Sequence, residues 1–379
     1  MRIICYFFVA ISYFLYSCTD KEKNDKDLPL ITIEVIDTLK IKHSGKLVKI
    51  IDYNTHNGNY LLCDIALINK VIVADSSGRI KKIIRLEGEG PDEPGTAIHN
   101  IGYADSTIVV NSNRGFFFYN EEGLLQKKIT ESTPLMGYGA GTIPRLKFIQ
   151  EEKSKLVILH LKSSVEGDMF TKSSYHTYNP ITVYDLESKK ISLFGGYNPE
   201  SIFIKDWIHF GDPINIFDMD SQSVYSINNP EPVIYVYSQK NLRSVAKKIL
   251  LTPQYFKLPV QYTLGENVRE DRAELFLNSQ FIDINSNDDM TLVSYRSGIP
   301  ESEYSRNSQN NLPNLFKKYM KYYLVVIKNG KKFAKDTELP YGSSGVAVLK
   351  KDNSIILNTN AALTETPKET IFYKARIKQ

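Results

Sequence analysis

VIVADSSGRIKKIIRLEGEGPDEPG, residues 71–95, decides how the chain is read. Val71-Ile72-Val73-Ala74 is too short and too β-branched for a helix, and Asp75-Ser76-Ser77-Gly78 carries turn chemistry. Residues 79–86 resume an extended pattern, so the two runs form a hairpin that leaves through a glycine-rich loop.

The same strand-turn-strand unit returns along the chain. It recurs as Ile108-Val109-Val110-Asn111 with Phe116-Phe117-Phe118-Tyr119 and 124–129, and as 156–159 with 181–185 and 191–194. Further copies are 214–217 with 223–227 and 232–237, then 290–295 with 322–327, turning at Asn329-Gly330, and finally 354–357 with 370–375. A short strand precedes each: Ile65-Ala66-Leu67, Ile101-Gly102-Tyr103, Leu146-Lys147-Phe148, Trp207-Ile208-His209, Phe281-Ile282-Asp283 and Val346-Ala347-Val348. Three or four strands per unit, repeated about six times at irregular spacing, describe an all-β chain folded as a six-bladed β-propeller. The alternating run 31–36, or the neighbouring 47–51, is expected to complete the last blade and close the ring, which removes two exposed sheet edges.

Three stretches interrupt the units: a Tyr-rich one at 163–180, one at 239–279 with a helix-like segment over 266–277, and one at 298–321 that turns helical at 314–321. Such insertions, helical or loop, would build a rim around the central channel.

The N-terminus speaks to location. Met1-Arg2 precedes the apolar run 3–16, which is shorter than a transmembrane helix and ends at Leu15-Tyr16-Ser17-Cys18 before an abrupt polar stretch. This ending resembles a bacterial lipobox, with cleavage before Cys18 and a lipid on it. The expected organisation is a lipoprotein signal peptide at 1–17, a flexible charged tether at 18–29 and a single propeller domain at 30–379. Cys5 leaves with the signal and Cys18 carries lipid, so Cys63 is the one thiol left in the domain; no intramolecular disulfide can form. Its apolar, strand-like setting marks a buried structural cysteine.

Gly88-Glu89-Gly90-Pro91-Asp92-Glu93 resembles the G-x-G-P-x-E turn of the six-bladed β-propeller lipoproteins of Gram-negative bacteria, which are similar to NHL-repeat and TolB-type propellers. The resemblance, with the lipobox and the blade pattern, extends over nearly the whole chain. It implies a propeller lipid-anchored to the outer membrane, on its periplasmic side or at the cell surface, and says little about activity.

Charge excludes one class of function. Lys plus Arg is 47 against 43 Asp plus Glu, with no long basic block, so nucleic acid is not an expected partner. G-x-S-x-G, H-E-x-x-H, P-loop and Cys-x-x-Cys motifs are all missing from the sequence, and the six histidines lack metal-ligand spacing. Residues 283–289 imitate the start of a calcium loop but lack Gly at the sixth position and an acid at the twelfth, so they read as a strand-to-strand turn. Trp207 and His209 face opposite to Asp206 and Ile208 along a strand, and Trp207 reads as a packing residue.

The candidate ligand-binding residues are those where first strands enter the channel: Asp64, Asn100, Arg145, Asp206 and Gln280. Among them Arg145 is the expected cationic contact for a carboxylated or hydroxylated ligand, opposed by Asp64 and Asp206. The leading functional expectation is a monomeric, lipid-anchored envelope module, without cofactor or metal, that binds a protein partner or a glycan. The alternative is a channel-centred hydrolase, lactonase or lyase, for which calcium would be the metal. Fold cannot choose between them.

Overall fold

The computed structural model describes residues 27–43, 48–65, 68–88, 90–95, 97–130, 145–150, 155–160, 179–205, 208–209, 215–258, 262–263, 277–307, 312–360 and 369–379. The signal segment with Cys18, most of the tether, Asp206, Trp207, and nearly all of 163–180 and 266–277 lie outside these residues.

Strand β1 (Thr32–Lys42) opens the chain, and six antiparallel sheets follow. The first is β2 (Val48–Tyr53), β3 (Tyr60–Asp64), β4 (Lys70–Ala74) and β5 (Ile80–Arg85). The second is β6 (Ile98–Ala104), β7 (Thr107–Ser112), β8 (Gly115–Tyr119) and β9 (Leu125–Thr130). The third is β10 (Leu146–Gln150), β11 (Lys155–His160), β12 (Ile181–Asp185) and β13 (Ile191–Phe194). A four-residue helix α1 (Ile202–Lys205) and strand β14 (Ile208–His209) lead to the fourth: β15 (Asn215–Met219), β16 (Ser223–Asn228), β17 (Val233–Ser238) and β18 (Asn241–Leu250). Strand β19 (Tyr262–Thr263) pairs back with β14. The fifth sheet holds β20 (Gln280–Ser286) and β21 (Thr291–Arg296), then, after helices α2 (Glu301–Asn307) and α3 (Leu312–Tyr319), β22 (Tyr322–Lys328), β23 (Lys331–Lys332) and β24 (Thr337–Glu338). The sixth is β25 (Ser343–Leu349), β26 (Ser354–Thr359) and β27 (Glu369–Lys378), completed by β1. This is a six-bladed β-propeller.

Its apolar material is distributed between blades rather than gathered in one core. The cluster holding Cys63, Val71 and Tyr103 joins the first and second blades, and that holding Phe116, Leu146 and Tyr184 joins the second and third. Phe194, Phe217 and Tyr237 lie between the third and fourth, Phe281, Tyr295 and Ile234 between the fourth and fifth. Leu324 with Leu357, and Ile50 with Phe372, complete the circuit through the sixth blade. Alternation explains the arrangement: successive side chains of each strand face opposite neighbours, and the many aromatic rings fill the wedge between radiating sheets. Phe116 stacks on Tyr184 at 5.0 Å and Phe194 meets Tyr237 edge-on at 5.0 Å in this way.

Ring closure follows the first of the two expected assignments. β1 pairs antiparallel with β27 from Thr32↔Lys378 to Lys42↔Glu369, burying Leu39 and Ile41. Val48 and its successors instead form the first strand of the first blade. Order also reaches into the expected tether: Leu28 is buried and the Pro29 carbonyl accepts the Lys335 amide at 3.0 Å.

Three readings are corrected. Ile65 lies in the turn after β3, not in a first strand; β2 takes that place because it is apolar on its buried faces and pairs with β3. Ile208 and His209 form part of a two-stranded ribbon, and the first strand of the fourth blade is β15. Residues 241–250 are the outer strand β18 rather than insertion; an outermost strand faces solvent on one edge and so reads as polar. Of the insertions, the third supplies α2 and α3, which follow Arg296 and so stand at the start of β20, while the open mouth lies where β20 ends. Helix α3 itself appears as expected, within two residues of its expected start.

Cys63 is fully buried, and burial pushes its thiol well above the usual range. Among the described residues no helix is long and apolar enough to cross a membrane.

Candidate functional site

The first strands β2, β6, β10, β15, β20 and β25 ring the central channel. Where they end, the channel opens into a cavity of about 720 Å³. All six contribute to its wall, with Asp52, Tyr103, Lys147, Asp218, Ser286 and Val348 as representatives. Short strand-to-strand turns form its rim. In one of them the Asn287 side chain accepts the amides of Asp289 and Met290; of the stretch 283–289, residues 283–286 end β20 and 287–289 make the strand-to-strand turn.

The floor is a charge network strung across the channel. Arg145, immediately before β10, sends its two Nη atoms to the two carboxylate oxygens of Asp283, both at 3.3 Å, and its Nε to the Ile51 carbonyl at 3.2 Å. Lys147, two residues on and therefore on the same face, bridges Asp52 at 3.2 Å and Asp218 at 3.1 Å. One strand of the third blade thus ties together the first, fourth and fifth. The carboxylates are themselves anchored: Asp52 accepts the Tyr103 amide at 2.8 Å, and Asp218 the Ser286 amide at 2.8 Å.

Local backbone irregularity helps to aim these acids. The β2–β3 ladder slips between Ile50 and Asp52, and the β20–β21 ladder between Phe281 and Asp283. A bulge turns the following side chain away from the sheet's regular alternation, here into the channel.

Burial governs the titration of the network. It lifts the Asp283 carboxyl to about 6, against the pull of Arg145. For Arg145, burial opposes the charge, but Asp283, Asp218 and Asp52 outweigh it and hold the guanidinium firmly protonated. Lys147 is likewise raised: burial works against it, and Asp218 and Asp52 overcome that. Deeper in the channel Lys49 is lowered to about 8 by burial, which Asp283 only partly offsets.

Of the sequence candidates, the structure brings Asn100 to Arg145, donating from Nδ2 to the Arg145 carbonyl at 3.4 Å, and so places it behind the network rather than at the cavity. Asp64 ends β3, at the end of the channel away from the mouth, and is not among the lining residues. Gln280 accepts Arg296 Nη2 at 3.0 Å at that same far end. Asp206 lies outside the described residues. Arg145 lines the cavity, and among the described residues the carboxylates opposing it are Asp283, Asp218 and Asp52 rather than Asp64.

The missed residues left a trace. Ile50-Ile51-Asp52, Ile216-Phe217-Asp218 and Phe281-Ile282-Asp283 each end an apolar pair with an aspartate in a first strand. An acid repeated at one position of otherwise buried strands marks convergence on the axis, and comparing blades would have found it.

No family model matches the chain, and no curated protein matches it. Solved structures do. A member of the DUF4221 family from Bacteroides vulgatus superposes with a TM-score of 0.67 at 13% identity, covering 92% of this chain and 99% of the other. A candidate exported protein from Bacteroides fragilis gives a TM-score of 0.56 at 12% identity, covering 95% and 98%. What is shared is the fold.

Proposed function

We propose that the protein is a lipid-anchored binding module of the cell envelope, with the channel mouth as its site and a glycan as its ligand. The cavity itself carries the reading: about 720 Å³, walled by all six blades, with Tyr53, Tyr103 and Phe148 beside carboxylates, amides and Lys147. Rings that cover the apolar faces of a sugar, next to acceptors and donors for its hydroxyls, are the chemistry of carbohydrate recognition. Charge supports a polar ligand that is not an anion: Asp283, Asp52 and Asp218 outnumber Arg145 and Lys147 in the network, and Asp105, Asp220, Asp288 and Asp289 add carboxylate acceptors around the mouth.

The same pairing favours binding over catalysis. Each floor carboxylate is held by a cation, so these acids brace the floor of the site. Among the described residues no three His, Cys, Asp or Glu side chains stand together to hold a metal. Export is supported by the N-terminal signal pattern and by the likeness to a candidate exported protein; Cys18 is the proposed anchor and the outer membrane the proposed destination.

Calorimetric titration of the mature domain with soluble envelope oligosaccharides tests the site. Binding by the wild type that weakens about tenfold or more in Phe148→Ala supports it, the loss expected when a stacking ring is removed. Capture of a protein partner with no sugar binding, or turnover of a bound sugar, would replace it. Independently, Cys18→Ala should abolish palmitate labelling and detergent partitioning; unchanged labelling would remove the anchor from the proposal.

A further inference from the structure

The channel contains a third cation whose circumstances differ from those of Arg145 and Lys147. Lys49, on β2, reaches across to the sixth blade, donating to Ser344 Oγ at 3.3 Å and to the Thr359 carbonyl at 3.2 Å. Both bonds are long, both partners are uncharged, and among the described residues no carboxylate lies within ion-pair distance of it. An ammonium has three hydrogens to donate, so one is unused. Lys49 is partly exposed rather than sealed, at the end of the channel opposite the mouth, where β2 and β25 begin.

The neighbouring backbone is unusual there too. The β25–β26 ladder slips between Ser343 and Gly345, leaving Ser344 as the extra residue. On either side of that slip, Ser343 Oγ and Asn358 Oδ1 are buried without a hydrogen-bond partner. Buried polar atoms left unpaired mark a place where a polar ligand or water completes the network. A lysine without a carboxylate partner, and beside its Ser344 partner an orphaned Ser343 hydroxyl able to donate, are the makings of an anion site; the Asn358 oxygen, an acceptor, takes no part in it.

We propose that this end of the channel is a second binding site, for a small oxyanion of carboxylate or phosphate type, held by Lys49 Nζ and Ser344 Oγ. It is independent of the glycan reading of the mouth, from which the Arg145–Asp283 pair divides it. The oxyanion supplies the counter-charge that Lys49 lacks, and its occupancy raises the lysine's titration midpoint from the lowered value of the free protein.

The test uses the mature protein with inorganic phosphate, and with acetate in parallel, at constant ionic strength. Lysines are reductively methylated with ¹³C so that each titrates separately by NMR. Phosphate or acetate should move the Lys49 midpoint upward and raise the melting temperature in a concentration-dependent way. Lys49→Met should weaken the anion about tenfold or more, the loss expected of a hydrogen bond to a charged group. A Lys49 midpoint unmoved by both anions overturns the proposal, as does an undiminished anion-dependent stabilisation in Lys49→Met. Should that variant fail to fold, the wild-type titration decides alone. Phe148→Ala at the mouth should leave the anion response unchanged, so failure of one site is distinguishable from failure of the other.

Discussion

Arg145 reaches the channel, as its place in the sequence implies, and is held there by partners that are remote in sequence. Its position just before a first strand puts it in the channel, but both Nη atoms are committed to Asp283. A buried pair of this kind is costly to break from one side and cheap to remove entirely, because the penalty lies in stranding a charge. Arg145→Leu and Asp283→Leu should therefore each lose about 3–5 kcal/mol, whereas the double variant returns close to wild type. Urea unfolding of the four proteins measures this; singles within about 1 kcal/mol of wild type would show the pair to be solvated. Lys49 makes a second prediction at this scale. Its folded value is about 8 against 10.5 unfolded, so between those pH values the unfolded chain binds more protons. Stability should rise with pH across that window, and Lys49→Met should flatten the slope. A wild-type stability that falls or stays level there would contradict the lowered value.

At the scale of elements, two glycines explain why strands and turns lie where they do. Gly102 on β6 faces β10 so closely that an added Cβ would sit 2.4 Å from the Leu146 carbonyl oxygen. Backbone cannot give way as a flexible side chain can, so Gly102→Ala must push β10 outward and carry Arg145 and Lys147 with it. The expected cost is about 1–3 kcal/mol, with faster amide exchange confined to β6 and β10; an unchanged melting temperature would show that the strands are not so tightly apposed. Gly88, at φ +154°, leaves room for the Glu93 carboxylate, which accepts the Gly90 amide at 2.8 Å. That is the physical content of the Gly-x-Gly-Pro-x-Glu turn, and Arg114 pins it by donating to the Gly90 carbonyl at 2.9 Å. Elements whose faces are both buried, such as β4, β8 and β12, were legible because their apolar runs are continuous. The outer strand β18 was not, since six of its ten residues are charged, polar or small and its pattern is that of a solvent-facing edge.

For the molecule as a whole, closure is the critical contact. β1 and β27 share ten register pairs, and Leu39 and Ile41 fill the wedge beside the first blade. Deleting residues 27–42 should leave an open ring with two exposed edges that aggregates or melts without cooperativity. Re-attaching the same segment after Gln379 through a flexible linker should restore a cooperative transition, because the strand need only reach β27. A deletion variant that melts like the wild type would mean the ring does not depend on this closure. The sequence alone determined the repeated unit, its turns, the count of blades and the need for an N-terminal strand to close them, because these follow from side-chain period, turn chemistry and the need to cover sheet edges; which of two strands closes the ring was decided by the structure. The tertiary structure decided which strand is innermost in the first and fourth blades, and which residues meet on the axis. Asp52, Lys147, Asp218 and Asp283 come from four blades and are remote in sequence, so no local pattern ties them together. Their partnership depends on the radius of the ring and on one-residue slips in the ladders, which exist only once six sheets have packed around a common axis.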